Sequence, residues 1–426
     1  MIDDAREAAA VARVTRRLVP LLVVCMIAAF LDRVNVSFAA LTMNADLGLS
    51  ASAYAFGAGI FFLTYFIFEI PSNLLLERVG ARVWIARIMF TWGLLSAATA
   101  FVTGPRSFYA VRALLGAAEA GFFPGIIFYL TLWFPEIYRA RIVGYFMTSV
   151  PLATVIGAPI SGAVLGLNGF VGLKGWQWLF LLEAVPSLVL SIVVFLRLTD
   201  TPQQAAWLDR SEREWLVERL DRERRAREAQ RQPTVLQSLV DPTVLLLSAV
   251  YFCIVAANYG LTFFVPLIVK AFGFSNLQTG FVSAIPYALG TMAMVIWARR
   301  SDRSGERRLH TVVPLLAIAT GLVAAAASTQ AIVTLAAFSF AAVGVFAAFP
   351  VFWTLPTVSF SGAAAAGAIA LINSIGNLSG FAGPYAMGWF KDRTGTYAGG
   401  LLVLSALAVA AAIATSIAAR PGKAAA

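Results

Sequence analysis

Long apolar runs separated by short segments containing charges, glycine or proline form the main pattern of this chain. The runs fall at about 18–44, 52–76, 84–103, 107–132, 141–166, 177–198, 243–269, 278–298, 311–328, 331–355, 365–390 and 398–418. A helix needs about 20 apolar residues to cross the hydrocarbon of a bilayer. The alternation over about ten residues that is typical of a membrane β-barrel strand is absent. The pattern predicts an all-α membrane protein with twelve transmembrane helices.

Composition supports this prediction and argues against a soluble protein, a nucleic-acid-binding protein and a metalloprotein. Hydrophobic residues make up 60% of the 426 positions, against about 45–50% in soluble proteins. The net charge of +10 comes from arginines gathered between apolar runs, so it indicates membrane topology rather than nucleic-acid binding. Cys25 and Cys253 lie inside apolar runs and His310 lies in a basic loop. We therefore expect no disulfide, no metal site and no cofactor.

The distribution of basic residues predicts the orientation of the helices. With the N-terminus inside, the cytoplasmic segments hold 25 of the 32 Lys and Arg residues and the outer loops hold five. Arg33 and Arg112 remain, and both lie within predicted spans. Cytoplasmic loops are enriched in Lys and Arg, which places both termini in the cytoplasm. The first apolar run is too long for a signal peptide, so we expect a retained helix.

The chain is predicted to consist of two related halves. Residues 1–198 and 243–426 each hold six spans, and the polar segment 199–242 is predicted to be a cytoplasmic linker with an amphipathic helix. Glu77-Arg78-Val79-Gly80-Ala81-Arg82 and Asp302-Arg303-Ser304-Gly305-Glu306-Arg307 recur 225 residues apart, each after the second span of its half. Two six-helix bundles with a substrate site at their interface are the simplest explanation.

Charged residues within the spans mark the candidate site. Asp32 and Arg33 lie in the first run, and Arg112 and Glu119 lie in the fourth. A charge at the centre of a membrane helix costs about 2.5–3.5 kcal/mol on insertion scales, so such residues are usually functional. Neighbours on a helix point about 100° apart, so Asp32 and Arg33 are predicted to have different partners. The alternative is that Asp32–Arg112 or Arg33–Glu119 is a permanent structural ion pair.

Longer motifs resemble a known family. They are LDRVN at 31–35, FEIPSNLLLERVGAR at 68–82, RALLGAAEAGFFPG at 112–125, YLTLWFPEIYRAR at 129–141, GWQWLFLLEAVP at 175–186, SDRSGERRLH at 301–310 and NSIGNLSGFAGP at 373–384. Together they resemble the anion:cation symporter family of the major facilitator superfamily, which includes bacterial carriers of galactonate, tartrate, phthalate and hydroxyphenylacetate. The resemblance extends over both halves.

The resemblance implies roles for individual residues. Asp32 and Glu119 match the proton-coupling acids, and Arg33 and Arg112 match arginines that bind the substrate carboxylate. Matches to residues that face the substrate are Tyr65, Trp353, Asn373 and Asn377. The repeated loop motif implies a gate in which Glu77, Arg78, Asp302 and Arg303 pair across the cytoplasmic faces. Independently of the resemblance, Glu69 and Glu183 lie towards predicted helix ends, within reach of loop groups, and are expected to have structural roles. Tyr259 is a candidate for lining the path.

The four charged residues also suit these roles on physical grounds. A carboxyl group buried without a permanent partner binds a proton more readily, as coupling requires. Arginine stays charged when buried and holds a carboxylate through two parallel hydrogen bonds. The sequence thus predicts arginines that bind the anion and acids that exchange protons.

The predicted function is import of a small organic anion, such as a sugar acid, tartrate or an aromatic acid, by a proton-coupled monomeric carrier in the cell inner membrane. Alternatives are an exporter or exchanger of organic anions, or a receptor that kept the carrier fold without transport. A receptor would be expected to carry an added soluble domain. A channel is disfavoured because no span has a repeated polar stripe, and an enzyme because the sequence has no nucleophile motif.

Overall fold

The computed structural model of the protein describes residues 2–228, 241–359 and 362–418, and the regular structure within these ranges is helical. The α-helices are α1 (Ile2–Leu47), α2 (Ala51–Val79), α3 (Ala81–Ala98), α4 (Pro105–Glu119), α5 (Phe122–Trp133), α6 (Glu136–Met147), α7 (Ser149–Val164), α8 (Gly175–Arg197), α9 (Arg210–Glu228), α10 (Pro242–Ala271), α11 (Asn276–Ser304), α12 (Arg308–Ala327), α13 (Ala331–Phe352), α14 (Thr354–Ser359), α15 (Gly362–Thr394) and α16 (Ala398–Ala418).

Within the described residues, eleven helical stretches are long and apolar enough to cross a membrane. The 33-residue helix α15 covers the predicted eleventh of the twelve spans. Two predicted spans are each built from two consecutive helices, α4 with α5 and α6 with α7. The twelve-span prediction is confirmed, and the division of single spans into two helices was not predicted.

Helix α1 is much longer than the predicted span 18–44. Its 46 residues correspond to about 69 Å at 1.5 Å per residue, more than twice the hydrocarbon thickness of about 30 Å. The additional N-terminal turns pack against α9, where Arg13 pairs with Asp209 at 2.9 Å and with Glu212 at 3.2 Å. The predicted amphipathic helix of the linker is therefore present.

Part of two predictions lies outside the described residues. These parts are residues 229–240 of the linker, and Arg420 and Lys423 of the charge count.

The helices form two bundles that touch along two seams. In the first bundle α1 packs on α7 and α8, and α3 packs on α8. In the second bundle α10 packs on α15 and α16, and α12 packs on α13. The bundles meet where α2 packs on α15 and where α7 packs on α11, with α1 and α10 in contact between these seams. The interface predicted to hold the substrate is thus lined by α1, α2, α10 and α15.

Both seams include glycines at which the two backbones touch. A Cβ added to Gly388 of α15 would lie 2.4 Å from the carbonyl oxygen of Ala51. On the other seam, a Cβ added to Gly280 of α11 would lie 2.5 Å from the carbonyl oxygen of Ala158. Any larger residue would push the bundles apart at these points.

One end of the molecule, here called the far end, is closed by a hydrogen-bonded cap. It is the end at which α1 ends and α2 begins. The carboxylate of Asp392, from α15 in the second bundle, accepts hydrogen bonds from the backbone N–H groups of Ala51 and Ser52 at 3.0 and 2.8 Å. The hydroxyl groups of Ser50 and Ser52 donate to the same carboxylate. An anion at a helix N-terminus satisfies free N–H groups, so Asp392 fastens the two bundles together.

The opposite end, here called the basic end, carries the repeated loop motif. Glu77 and Arg78 are exposed, and Asp302 pairs with Arg307 of its own loop at 2.7 Å. Within the described residues, no hydrogen bond or ion pair joins the motif of one bundle to the motif of the other. The predicted pairing across the faces is therefore not present in this conformation, whose bundles are fastened at the far end instead.

Candidate functional site

Arg33 is the centre of the candidate site. Its guanidinium group forms an ion pair with Glu119 of α4 and donates a hydrogen bond to the Tyr259 hydroxyl of α10 at 3.3 Å. The Arg33 side chain is 11% exposed and the Glu119 side chain is 1% exposed. Arg33 therefore connects the two bundles, and the Arg33–Glu119 pair that the sequence left open is present in this conformation.

Aromatic rings enclose the Arg33 guanidinium group. Its central carbon lies 5.0 Å from the ring centroid of Phe30, 5.3 Å from that of Phe61 and 5.5 Å from that of Tyr65. Such contacts attract a cation by about 2 kcal/mol or more when water is excluded. Tyr65, predicted to face the substrate, thus lies beside the predicted anchor.

Arg112 lies deeper in the first bundle and is incompletely paired. It is fully buried, and its Nη2 donates to the Ala58 carbonyl oxygen at 3.3 Å. Its Nε and Nη1 have no partner within the described residues. Its guanidinium carbon lies 5.0 Å from the centroid of the Phe61 ring, which also contacts Arg33. Unpaired buried donors of a cation cost free energy, so this group is suited to receive an anion.

Asp32 points away from Arg33, as the helical geometry predicted. Its carboxylate accepts hydrogen bonds from Trp92 Nε1 at 2.9 Å, Ser96 Oγ at 2.8 Å and Ser187 Oγ at 2.7 Å. These donors come from α3 and α8, inside the first bundle, so the proposed Asp32–Arg112 ion pair is not present in this conformation. The spacing of Trp92 and Ser96 by one helical turn could have indicated a shared polar face on α3.

A break in the fourth span positions Glu119. Helix α4 ends at Glu119, and Gly121 then takes a φ of +86° before α5 begins at Phe122. This φ favours glycine, and an added Cβ would lie 2.4 Å from Ser72 Oγ. Interrupted helices within a membrane commonly form binding sites. The prediction that Arg112 and Glu119 share one helix is confirmed, whereas the break was missed although Gly121 and Pro124 signal it.

The second bundle contributes neutral groups. Asn373 Nδ2 lies 3.5 Å from Glu69 Oε1 of the first bundle. Trp353 packs edge-on against Tyr251 with ring centroids 4.8 Å apart. Asn377, one turn after Asn373 on α15, is half-buried. The structure therefore brings Asn373 to the bundle interface and places Trp353 against α10.

Two acids differ from their predicted positions. Glu69 was expected near loop groups but is 6% exposed and meets Asn373 across the interface. Glu183 is 5% exposed and accepts a hydrogen bond from Ser161 Oγ at 2.8 Å inside the first bundle. The prediction of loop partners was wrong for both, because distance from a span end does not indicate which helix face is buried.

Comparisons with known proteins agree with this architecture. Residues 22–384 match the family model of the Major Facilitator Superfamily. The chain is 50% identical over 408 residues to a "Putative tartrate transporter" of Agrobacterium vitis, covering 96% of this chain and 94% of that protein. It is 42% identical to a "Quinolone resistance transporter" of Acinetobacter baumannii, covering 92% and 91% of the two chains.

A solved structure shares the fold. The crystal structure of a bacterial homologue of the human lysosomal transporter Spinster, in an inward-facing and occupied conformation, superposes with a TM-score of 0.75 at 16% identity, covering 95% of this chain and 96% of that one. The match to the family model and the similarity to transporters over nearly the whole length identify the family of the chain. It belongs to the Major Facilitator Superfamily and is a multi-pass membrane transporter, not an enzyme.

Proposed function

We propose that the protein is a proton-coupled symporter that imports a small organic anion by alternating access of its two bundles. The observation that carries this proposal is the pair of buried arginines around the Phe61 ring. Arg112 has two donor groups without a partner among the described residues, and Arg33 reaches both bundles. A carboxylate matches the planar donor geometry of a guanidinium group.

Coupling follows from competition for Arg33. In this conformation, Glu119 is the partner of Arg33. An arriving carboxylate that binds Arg33 and Arg112 removes this partner, and an unpaired buried carboxylate favours its protonated form. Proton uptake at Glu119 therefore accompanies anion binding. Asp32, with three neutral donors, is the second proposed proton carrier.

The remaining predicted residues have supporting roles in this proposal. Tyr65, Trp353, Asn373 and Asn377 line the substrate path, and their neutral donors select among carboxylates. When the far end opens, Glu77, Arg78, Asp302 and Arg303 form the gate at the basic end. The substrate class is that of tartrate and related sugar acids, supported by the 50% identity to the Agrobacterium vitis protein.

The proposed orientation places the basic end and both termini in the cytoplasm, because 25 of 32 basic residues lie on that side. Import then starts from the far end. Uptake of an anion with more than one proton is driven by an inward proton gradient, which concentrates the anion in the cell. The proposed working unit is a monomer in the inner membrane.

Thermal-shift measurements on the purified protein test the substrate class. Tartrate, a sugar monoacid and an aromatic acid are compared, and we expect stabilisation by at least one that is lost in Arg112→Ala. Transport is then measured in proteoliposomes as accumulation of the stabilising acid under a pH gradient, with a protonophore as control. Absence of stabilisation by every acid, with no gradient-driven uptake, would contradict the proposal.

An exporter is the second candidate, favoured by the 42% identity to the Acinetobacter baumannii quinolone resistance transporter. An importer accumulates tartrate in right-side-out vesicles with acid outside. An exporter that exchanges drug for protons accumulates a quinolone in inverted vesicles with acid inside. The two vesicle preparations therefore decide the direction of transport.

A further inference from the structure

Glu69 of α2 is an acid at the bundle interface with an incomplete set of partners. It is 6% exposed, its Oε1 lies 3.5 Å from Asn373 Nδ2, and its Oε2 has no hydrogen-bond partner within the described residues. An ionised carboxylate in such a position usually accepts several hydrogen bonds or pairs with a cation. One long contact and one unpaired oxygen leave Glu69 poorly stabilised as an anion.

The groups around Glu69 come from four helices. The charged or titratable side chains that interact with it are Arg33 of α1, Tyr65 of α2 and Tyr251 of α10. Helix α15 contributes the neutral amide of Asn373. Arg33 is the only cation in this set of interacting groups, and its ion pair is with Glu119 rather than Glu69. Glu69 thus experiences the positive charge of Arg33 without a direct bond to it.

We propose that Glu69 is a third proton-carrying residue, and that it must be protonated before the substrate anion binds between Arg33 and Asn373. The inference rests on the proposed function and extends it to a residue expected to be structural. In this conformation the Glu69 carboxylate supplies negative charge near Arg33 and accepts from the Asn373 amide. A second carboxylate at this place would be repelled by an ionised Glu69.

Protonation of Glu69 neutralises its charge and frees its partner Asn373. A proton from the aqueous phase binds one Glu69 oxygen and converts the carboxylate to a neutral carboxylic acid. The repulsion is removed, and the Asn373 amide is released to donate to the incoming anion. The reverse loss of this proton expels the anion. Because Glu69 and Asn373 lie on different bundles, the same step loosens a contact between them.

The first test needs no substrate. Difference infrared spectra of the reconstituted transporter between acidic and alkaline pH report carboxylic acid groups that lose their proton. We expect Glu69→Gln to remove one such band. The matched control is Glu183→Gln, which neutralises an acid of similar burial that accepts a hydrogen bond from Ser161 Oγ within its own bundle. A spectrum of Glu69→Gln that matches wild type would overturn the inference.

The second test counts protons taken up as tartrate binds, in weakly buffered solution. Glu69→Gln should take up one proton fewer per anion than wild type. For each pH unit, its affinity for tartrate should therefore change by a factor about tenfold smaller than in wild type. Glu183→Gln should take up as many protons as wild type. In Glu69→Gln, the new amide oxygen still accepts a hydrogen bond from Asn373. Equal proton counts in wild type and Glu69→Gln would overturn the inference. If tartrate does not bind wild type, the proposed substrate is wrong, and the infrared test alone decides the role of Glu69.

Discussion

Neutralising Asp392 should shift the transporter away from the conformation described above. Its carboxylate accepts hydrogen bonds from two backbone N–H groups and two hydroxyl groups at the start of α2. Asp392→Asn keeps one acceptor oxygen and replaces the other with an amide group that faces donors. Since this contact exists only while the far end is closed, the substitution destabilises the closed state and leaves the open state unchanged.

The expected size follows from the geometry. Loss of a side-chain cap at a helix N-terminus costs about 0.5–2 kcal/mol, and Asp392 is solvent-exposed, which limits the contribution of its charge. We therefore expect a shift of about 0.5–2 kcal/mol, equivalent to a roughly 2–30-fold change in the ratio of closed to open molecules.

Distances between spin labels at the far end measure this ratio. Arg106→Cys and Gln278→Cys place labels on exposed residues of different bundles, while the native Cys25 and Cys253 are buried. Asp46→Asn is the matched control, because Asp46 pairs with Lys174 and Trp176 within the first bundle. The reasoning fails if Asp392→Asn leaves the distance distribution unchanged, or if Asp46→Asn changes it equally.

The same contact should respond to acid. Partial burial acts to raise the pKa of Asp392, but hydrogen bonds from Ser50, Ala51 and Ser52 outweigh it and hold the pKa below its ordinary value of 3.8. A group with a lowered pKa stabilises its bonded state above the ordinary value and loses this contribution as pH falls below it. Far-end opening should therefore be constant near neutrality and increase only below about pH 4.

Three further predictions test the site and one loop. Arg112→Ala should weaken anion binding by at least about 30-fold without loss of folded protein, and Arg112→Lys should weaken it less; unchanged affinity in a thermal-shift titration would exclude the anchor role. Glu119→Gln should lose proton-driven uptake in proteoliposomes but keep counterflow, whereas full accumulation would show that another acid carries the coupling. Glu306 accepts hydrogen bonds from the backbone N–H groups of Leu309 and His310. Burial acts to raise the pKa of Glu306, but these hydrogen bonds outweigh it and hold the pKa below its ordinary value of 4.5. The protection factors of amide hydrogens at the start of α12, which correct for the pH dependence of intrinsic exchange, should therefore fall below about pH 4.5. They should also be lower in Glu306→Gln at neutral pH, and equal protection in wild type and variant would contradict this.

Sequence patterns predicted the spans well because membrane insertion depends on the length and hydrophobicity of a run. They also predicted that Asp32 and Arg33 have different partners, since neighbouring residues on a helix point in different directions. The partners themselves, Trp92 for Asp32 and Glu119 for Arg33, depend on how helices rotate against one another. Insertion energetics do not determine that rotation.

The misjudged position of Glu69 has the same origin. It follows a run of aromatic residues near the end of a predicted span, where a polar side chain commonly reaches the lipid headgroups. Only the packing of α2 on α15 shows that its face is turned to Asn373. The break after Glu119 was missed for a different reason, because Ala120 to Gly125 is as apolar as the helices on either side.

The glycine seams bear on how easily the two bundles separate. Where Gly388 meets Ala51 and Gly280 meets Ala158, contact is made by backbone rather than by interlocking side chains. A large apolar side chain contributes about 1.5–3 kcal/mol when fully buried, so a seam of such side chains would hold one conformation far below the other in free energy. Backbone contacts expose little apolar area when they part. At these two points, parting the bundles therefore costs less free energy than separating buried large side chains would.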